Sequence, residues 1–173
     1  MYQGEKTTLR PVEQADLPLL ESWTNDLQVQ GPFNTFGLEG KQGKQADFAK
    51  SGFLGQDQGM LLVIAEDKVV GMVAYRPAIY GPHRAAWAYA IGVHIVPEAR
   101  GQGLGAEAQS LLASYLFDTY PINRVEAETD VENVAEQRAL EKAGFQREGV
   151  LRGAQWRAGA WHDLAVFSKL RGE

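Results

Sequence analysis

Val96-Pro97-Glu98-Ala99-Arg100-Gly101-Gln102-Gly103-Leu104-Gly105-Ala106 joins an apolar stretch to an amphipathic one. Upstream, Ile91 to Val96 is rich in β-formers. Downstream, Leu104, Ala108, Leu111, Leu112, Tyr115 and Leu116 recur at helical spacing on one face. The glycines let the chain turn sharply and bring backbone N–H groups close to a ligand with no Cβ in the way. The first free N–H groups of the helix, at the positive end of its dipole, then favour an anion such as phosphate. Strand, glycine turn and helix therefore predict a site for a phosphate-bearing ligand.

Three ligands compete for such a turn. Gly101-x-Gly103-x-x-Ala106 loosely fits a dinucleotide fingerprint, but that pattern is weak alone and falls too late in the chain for the βαβ units it normally opens. A nucleoside-triphosphate loop is excluded, because no Gly-Lys-Ser or Gly-Lys-Thr occurs. The third pattern is Arg100-x-x-Gly103-x-Gly105, and a second segment bears on it. Arg124 to Asp130 reads as a strand. Asn133-Val134-Ala135-Glu136-Gln137-Arg138-Ala139-Leu140-Glu141-Lys142-Ala143-Gly144-Phe145 reads as a capped helix. Asn133 suits the N-cap, Glu136 the reciprocal position of a capping box, and Gly144 the left-handed C′ position with Phe145 packing beyond it.

Together, in this order and spacing, the two segments resemble the GNAT superfamily of acyl-CoA N-acyltransferases. Leu9-Arg10-Pro11-Val12-Glu13-Gln14-Ala15-Asp16 with Trp23-Thr24-Asn25-Asp26, and Glu148 to Arg152 with Gly159-Ala160-Trp161-His162-Asp163, are similar to its Rim-type branch. That branch contains acetyltransferases of ribosomal-protein N-termini and many small-molecule relatives. The resemblance covers nearly all of residues 1–173, which are expected to form one domain; it is thinnest at residues 30–60 and 76–86. It implies an α/β fold, a mixed and mostly antiparallel sheet flanked by helices, with a splayed central strand that binds acyl-CoA.

The coarse pattern agrees. Leu9 to Pro11 is a short strand and Ala15 to Thr24 a helix. Residues 25–59 are rich in Gly, Gln and Asn, with a helix around Ala46 to Lys50. Met60 to Ala65 and Val69 to Tyr75 make a hairpin across Glu66-Asp67-Lys68. Ala85 to Val96 is the central strand, and Gln146 to Trp156 pairs with Leu164 to Leu170, a hairpin tethered by Asp163.

Composition limits the function. A hydrophobic fraction of 45% and a charged fraction of 23% over 173 residues describe an ordinary globular chain. No apolar run approaches the roughly 20 residues that span a bilayer, and no signal-peptide pattern opens the chain, so a cytoplasmic location without membrane attachment is expected. A net charge of −5 argues against nucleic-acid binding and is compatible with an amine substrate. The chain has no cysteine, which rules out disulfides, thiolate zinc sites and an acyl-cysteine intermediate. His83, His94 and His162 lack metal-ligand spacing, so no metal is expected.

Direct attack of a primary amine, from a small molecule or a peptide or protein N-terminus, on bound acetyl-CoA is the simplest remaining path. The resemblance implies that the pyrophosphate lies on Arg100, Gly101, Gln102, Gly103, Leu104, Gly105 and Ala106. It implies a β-bulge in the central strand, with the pantetheine arm paired to His94, Ile95 and Val96 and a backbone N–H there stabilising the oxyanion. Asn133 would bond the arm through its amide. Arg138 and Lys142, one helical turn apart, are readable equally as partners of the 3′-phosphate and as solvated surface. Many relatives carry a glutamate where Ala90 stands, and a serine or tyrosine where Glu136 and Leu140 stand. The general base and acid are therefore open, with His94 and Glu128 the candidates and Asp130 and His162 behind them. Glu126 and Glu128 share one strand face, equally readable as salt-bridged surface. Glu136 is read first as the capping-box residue.

Trp23, Phe33, Phe36, Tyr80 and Trp156, with Trp161, fall in segments that surround the acceptor in this family, and Gly31 to Gly37 reads as a functional loop. An acyl-CoA-binding module without turnover is the rival from another class. A monomer or homodimer is expected.

Overall fold

A computed structural model describes residues 1–40, 43–83 and 87–173. Its strands are β1 (Tyr2–Gln3), β2 (Thr8–Pro11), β3 (Gly59–Ala65), β4 (Lys68–Ile79), β5 (Trp87–Ile95), β6 (Arg124–Asp130), β7 (Gln146–Arg157) and β8 (Ala160–Leu170). Its α-helices are α1 (Leu17–Trp23), α2 (Leu27–Gln30), α3 (Gly43–Ser51), α4 (Leu104–Thr119) and α5 (Val134–Lys142). One sheet runs in the order β1-β2-β3-β4-β5-β6-β8-β7. Every neighbouring pair is antiparallel except β5 with β6.

Alternation along the strands builds two apolar layers. Tyr89 and Ile91 of β5 and Val125 and Ala127 of β6 face Leu112 and Leu116 of α4 and Leu140 of α5. The opposite face is covered near β3 by Leu17, Leu20 and Trp23 of α1, with Phe48 of α3 beside them. Each such leucine, taken out of water, contributes roughly 1.5–3 kcal/mol. Three tyrosine hydroxyls pin one loop to this core: Tyr75 and Tyr120 donate to Gly55 O, and Tyr89 donates to Gln56 O.

Most predicted elements appear with small shifts. The β3–β4 hairpin turns at Glu66 and Asp67, whose φ values of 49° and 58° are those of a tight hairpin turn. β4 continues to Ile79, because Ala78 and Ile79 find partners in Ala88 and Trp87. The expected start of the central strand at Ala85 and Ala86 lies outside the described residues. The helix ending at Gly144 closes as expected: Phe145 N–H donates to Leu140 O, Gly144 N–H to Glu141 O, and Gly144 has a φ of 86°.

The bulge expected in the central strand is absent. β5 pairs residue for residue with β4 from Ile79↔Trp87 to Gly71↔Ile95, with no shift. The splay arises on the other side of β5. Its parallel pairing with β6 is confined to Tyr89↔Val125, Ala90↔Glu126 and Ile91↔Ala127. Among the described residues, Gly92 to Ile95 pair with β4 alone. Two strands held on one side only can diverge without inserting a residue, so no bulge is required.

Candidate active site

Beyond Ile95, residues Pro97–Ala99 make a short 3-10 turn and the chain enters α4 through Gly101 and Gly103. Their φ values, 78° and 84°, belong to the left-handed region that disfavours a side chain. No side chain caps α4, so its first N–H groups are open to an anion. Gly105 has an ordinary φ, and an added Cβ would meet Ile95 Cγ1 at 3.5 Å, an unstrained contact. The protein itself can accept a side chain there, so glycine at 105 leaves room for a ligand.

The sequence assigned Arg100 to the phosphates, but its side chain is engaged elsewhere. Its Nε donates to Ile95 O at 2.8 Å and its Nη2 to Val29 O at 2.7 Å. It ties the end of β5 to α2. A cation that does reach the glycine loop is Lys6, whose Nζ donates to Gln102 O at 3.3 Å. Sequence reasoning passed over Lys6, because only the fold brings β1 and β2 beside α4. Glu107 secures that approach by accepting from Glu5 N, Lys6 N and Thr7 Oγ1.

A cleft of about 530 Å³ runs from Gly101–Ala106 past His94 and Ile95 to Asn133, Glu136 and Arg138. It shares Phe33, Asn34, Val93, Asn133 and Glu136 with a cavity of about 260 Å³ between the diverging strands, which Glu128 also lines. That cavity in turn shares Arg76, Ala90, Ile91 and Gly92 with a third, of about 700 Å³, beside α3 and the pinned Gly55–Gln56 loop. The middle cavity links the other two: it meets the cleft at Val93 and the third cavity at Gly92, where an added Cβ would find no atom within 4 Å.

Candidate acid–base groups separate by environment. His94 is 7% exposed, packs tilted against Trp23 with ring centroids 5.8 Å apart, and has no hydrogen-bond partner on Nε2 among the described residues. Burial, then the charge of Arg100, lowers its pKa, so it is a neutral imidazole at pH 7. Glu126, Glu128 and Asp130 alternate on the face of β6 turned away from α4, and an arginine attends each one. Arg124 Nε donates to Glu126 at 2.9 Å, with Tyr80 OH bonded to the same carboxylate, and Arg157 holds Asp130. Among the described residues, only Arg76, at 3.9 Å and itself exposed, pairs with Glu128. Glu128 is the loosely held carboxylate at the junction.

Glu136 departs from its predicted role. Asn133 Oδ1 accepts from Glu136 N at 3.3 Å, so the cap exists. The Glu136 side chain does not return the bond; it lies in the wall of the cleft near Gln109 of α4, whose amide nitrogen donates to Gly105 O at 3.2 Å. Burial pushes its pKa up to about 7, against a smaller opposite pull from the Gln109 hydrogen bond. Gln109 is fully buried, and a polar residue between Ala108 and Leu112 on an apolar stripe was the signal that could have exposed this pair.

The aromatic candidates divide. Phe33 and Phe36 line the junction cavity. Trp23 does not: it is buried in the layer under α1. Tyr80 is spent on Glu126 and lies under the Arg124 guanidinium, 5.7 Å from its ring centroid. Trp156 is 57% exposed and packs edge-on against Trp161, because both stand on the β7–β8 hairpin outside the cavities. Asp163 accepts from Gly153 N at 2.7 Å and does tether that hairpin.

A strand, a glycine-rich helix start and a gap between parallel strands define a class of enzyme that holds an acyl-CoA thioester in the gap. Residues 6–146 match the family model of the acetyltransferase (GNAT) domain, and the chain belongs to that family. It is an acetyl-CoA-dependent N-acetyltransferase. It is similar to a probable N-acetyltransferase, YjcK, of Bacillus subtilis, with 27% identity over 98% of this chain and 97% of that protein. An uncharacterized N-acetyltransferase, p20, of Bacillus licheniformis is 27% identical over 98% of this chain and 95% of its own length. Among solved structures, the spermidine N-acetyltransferase of Vibrio cholerae in complex with CoA and spermine superimposes with a TM-score of 0.81 at 20% identity, over 97% of both chains. RimL, a ribosomal L7/L12 alpha-N-protein acetyltransferase in complex with coenzyme A, gives 0.77 at 20% identity over 96% of this chain and 95% of that one.

Proposed function

We propose that the protein transfers an acetyl group directly to the primary amine of a small molecule or of a peptide or protein N-terminus, through a ternary complex. The observation that carries this is the 260 Å³ cavity, lined by Glu128, that joins the cofactor cleft at Val93 to the 700 Å³ cavity at Gly92. Acetyl-CoA, when bound, supplies a thioester carbonyl. The N-terminus of α4 and Lys6 hold its phosphates, and Asn133 and the free edge of Gly92–Ile95 hold its arm. Glu128 accepts the proton that the attacking amine gives up. Glu136, a neutral acid at or below about pH 7, returns a proton to the departing thiolate. Phe33 and Phe36 favour an acceptor with an apolar part next to its amine.

We place the protein in the cytoplasm as a monomer or homodimer, without nucleic acid. Among the described residues, no helix is long and apolar enough to cross a membrane.

Thiol release from acetyl-CoA, followed over a panel of polyamines, amino acids, aminated antibiotics and N-terminal peptides, tests the proposal. At least one amine is expected to accelerate release, and Glu128→Gln to lower that rate about 10²-fold or more while leaving acetyl-CoA affinity intact. Cofactor binding with no release across the whole panel would instead mark a binding module.

A further inference from the structure

Arg157 lies beyond the segment matched by the family model, at the end of β7, and the chemistry above gives it no task. It is 5% exposed, and a guanidinium that deep needs acceptors. One is Asp130, itself 3% exposed, which Nη2 engages directly. Nη1 donates to Pro32 O at 2.6 Å, a bond between residues 125 apart in sequence. The Phe33 ring centroid lies 5.2 Å from the guanidinium carbon. His162 supports the arrangement, with Nδ1 3.2 Å from Arg157 Nη2 and Nε2 3.2 Å from Arg157 O. A carbonyl only accepts, so Nε2 carries the hydrogen, and Nδ1 also lies 3.1 Å from Asp130 Oδ2. Asp130, Glu132 and His162 bring three ligand atoms within 4.8 Å, but the cation already seated on Asp130 and His162 is Arg157.

The loop that Arg157 grips has few other ties. Asn34 N and Thr35 Oγ1 both return to Gly31 O, within the loop itself. On its N-terminal side, Arg100 holds Val29 O. Pro32 O on Arg157 is the tie that draws the loop onto the β6–β8 side of the site. Phe33 and Asn34 line both the cofactor cleft and the junction, so the placement of this loop sets the shape of both.

We infer that Arg157 is a positioning residue that holds residues 31–37, through Pro32 and Phe33, over the junction and so determines which amines are admitted. The inference rests on the acetyl-transfer function proposed above. A lysine keeps the charge for Asp130 but lacks the planar fork that reaches Asp130, Pro32 O and His162 together while lying on a ring.

The test compares wild type with Arg157→Lys, and with the double variant Asp130→Leu/Arg157→Met, which replaces the buried pair by apolar volume. In both, the acceptor KM is expected to rise roughly ten- to a hundredfold and the preference between good and poor amines to narrow, with acetyl-CoA affinity changing by a smaller factor. Amide hydrogen exchange at residues 31–37 is expected to quicken in both, and this readout survives even if no tested amine is a substrate. Folded variants with unchanged acceptor KM, amine preference and loop exchange would overturn the inference. Failure of both variants to fold would also overturn it, because Arg157 would then serve the fold and not the loop.

Discussion

Glu136 shows how a single carboxyl changes function with its surroundings. At a solvent-exposed N3 position it would be an ordinary acid; half-buried in the cleft near Gln109 it holds its proton up to about pH 7. The folded state therefore binds this proton more tightly than the unfolded chain, whose glutamate titrates near 4.5. Its contribution to stability is full below pH 4.5 and is lost as pH rises through about 7, by at most about 3 kcal/mol. Glu136→Gln should remove that dependence, so melting temperatures from pH 4.5 to 8 should fall less steeply than in wild type. Thiol release should drop about 10²-fold and lose its alkaline decline, because an amide donates no proton to the thiolate. Equal melting profiles for variant and wild type would exclude the raised pKa. Asn133 separates in the same way. Its cap uses only Oδ1, so Asn133→Asp should keep near-native stability yet weaken acetyl-CoA binding, since aspartate lacks the amide donor and adds negative charge. Wild-type affinity in that variant would make Asn133 a cap alone.

At the scale of elements, α4 unites packing and binding. Leu112 and Leu116 anchor its middle to the sheet, while its first turn stays uncapped for the ligand. Gly103→Val places a β-branched residue at a φ of 84° and fills the approach to the phosphates. Calorimetry should find acetyl-CoA binding abolished in a folded variant, and undiminished binding would remove the loop from the site. Both signature helices and all but the shortest strand were legible in the sequence, because their periodicity, caps and glycine stops are local. Glycine 144 and the β3–β4 turn are examples. What stayed hidden depended on residues far apart. Lys6 reaches the loop only through sheet order, Arg100 is diverted by α2, and Arg157 meets Pro32 across most of the chain. The bulge failed for a related reason: the splay is a property of the pair β5 and β6, and neither strand encodes it alone. Aromatic residues were the least readable, since a ring that packs and a ring that lines a cavity look alike in sequence. Trp23 and Phe33 fell on opposite sides of that distinction.

For the whole molecule, the sheet works as a clamp opened at one seam. β5 is zipped to β4 along its full length and to β6 over only three residue pairs, so the seam opens toward the C-terminal ends of both strands. α4 and α5 deliver the glycine loop and Asn133 to one side of it, α3 borders the other, and the Gly31–Gly37 loop spans the cofactor cleft and the junction. The central claim is that this seam is where acetyl-CoA and the amine meet. A crystal structure of the protein grown with acetyl-CoA tests it most directly. The phosphates are expected at the N-terminus of α4, the arm between Gly92–Ile95 and Asn133, and the acetyl group toward Glu128. A cofactor seated elsewhere, with the seam between β5 and β6 empty or closed, would contradict it.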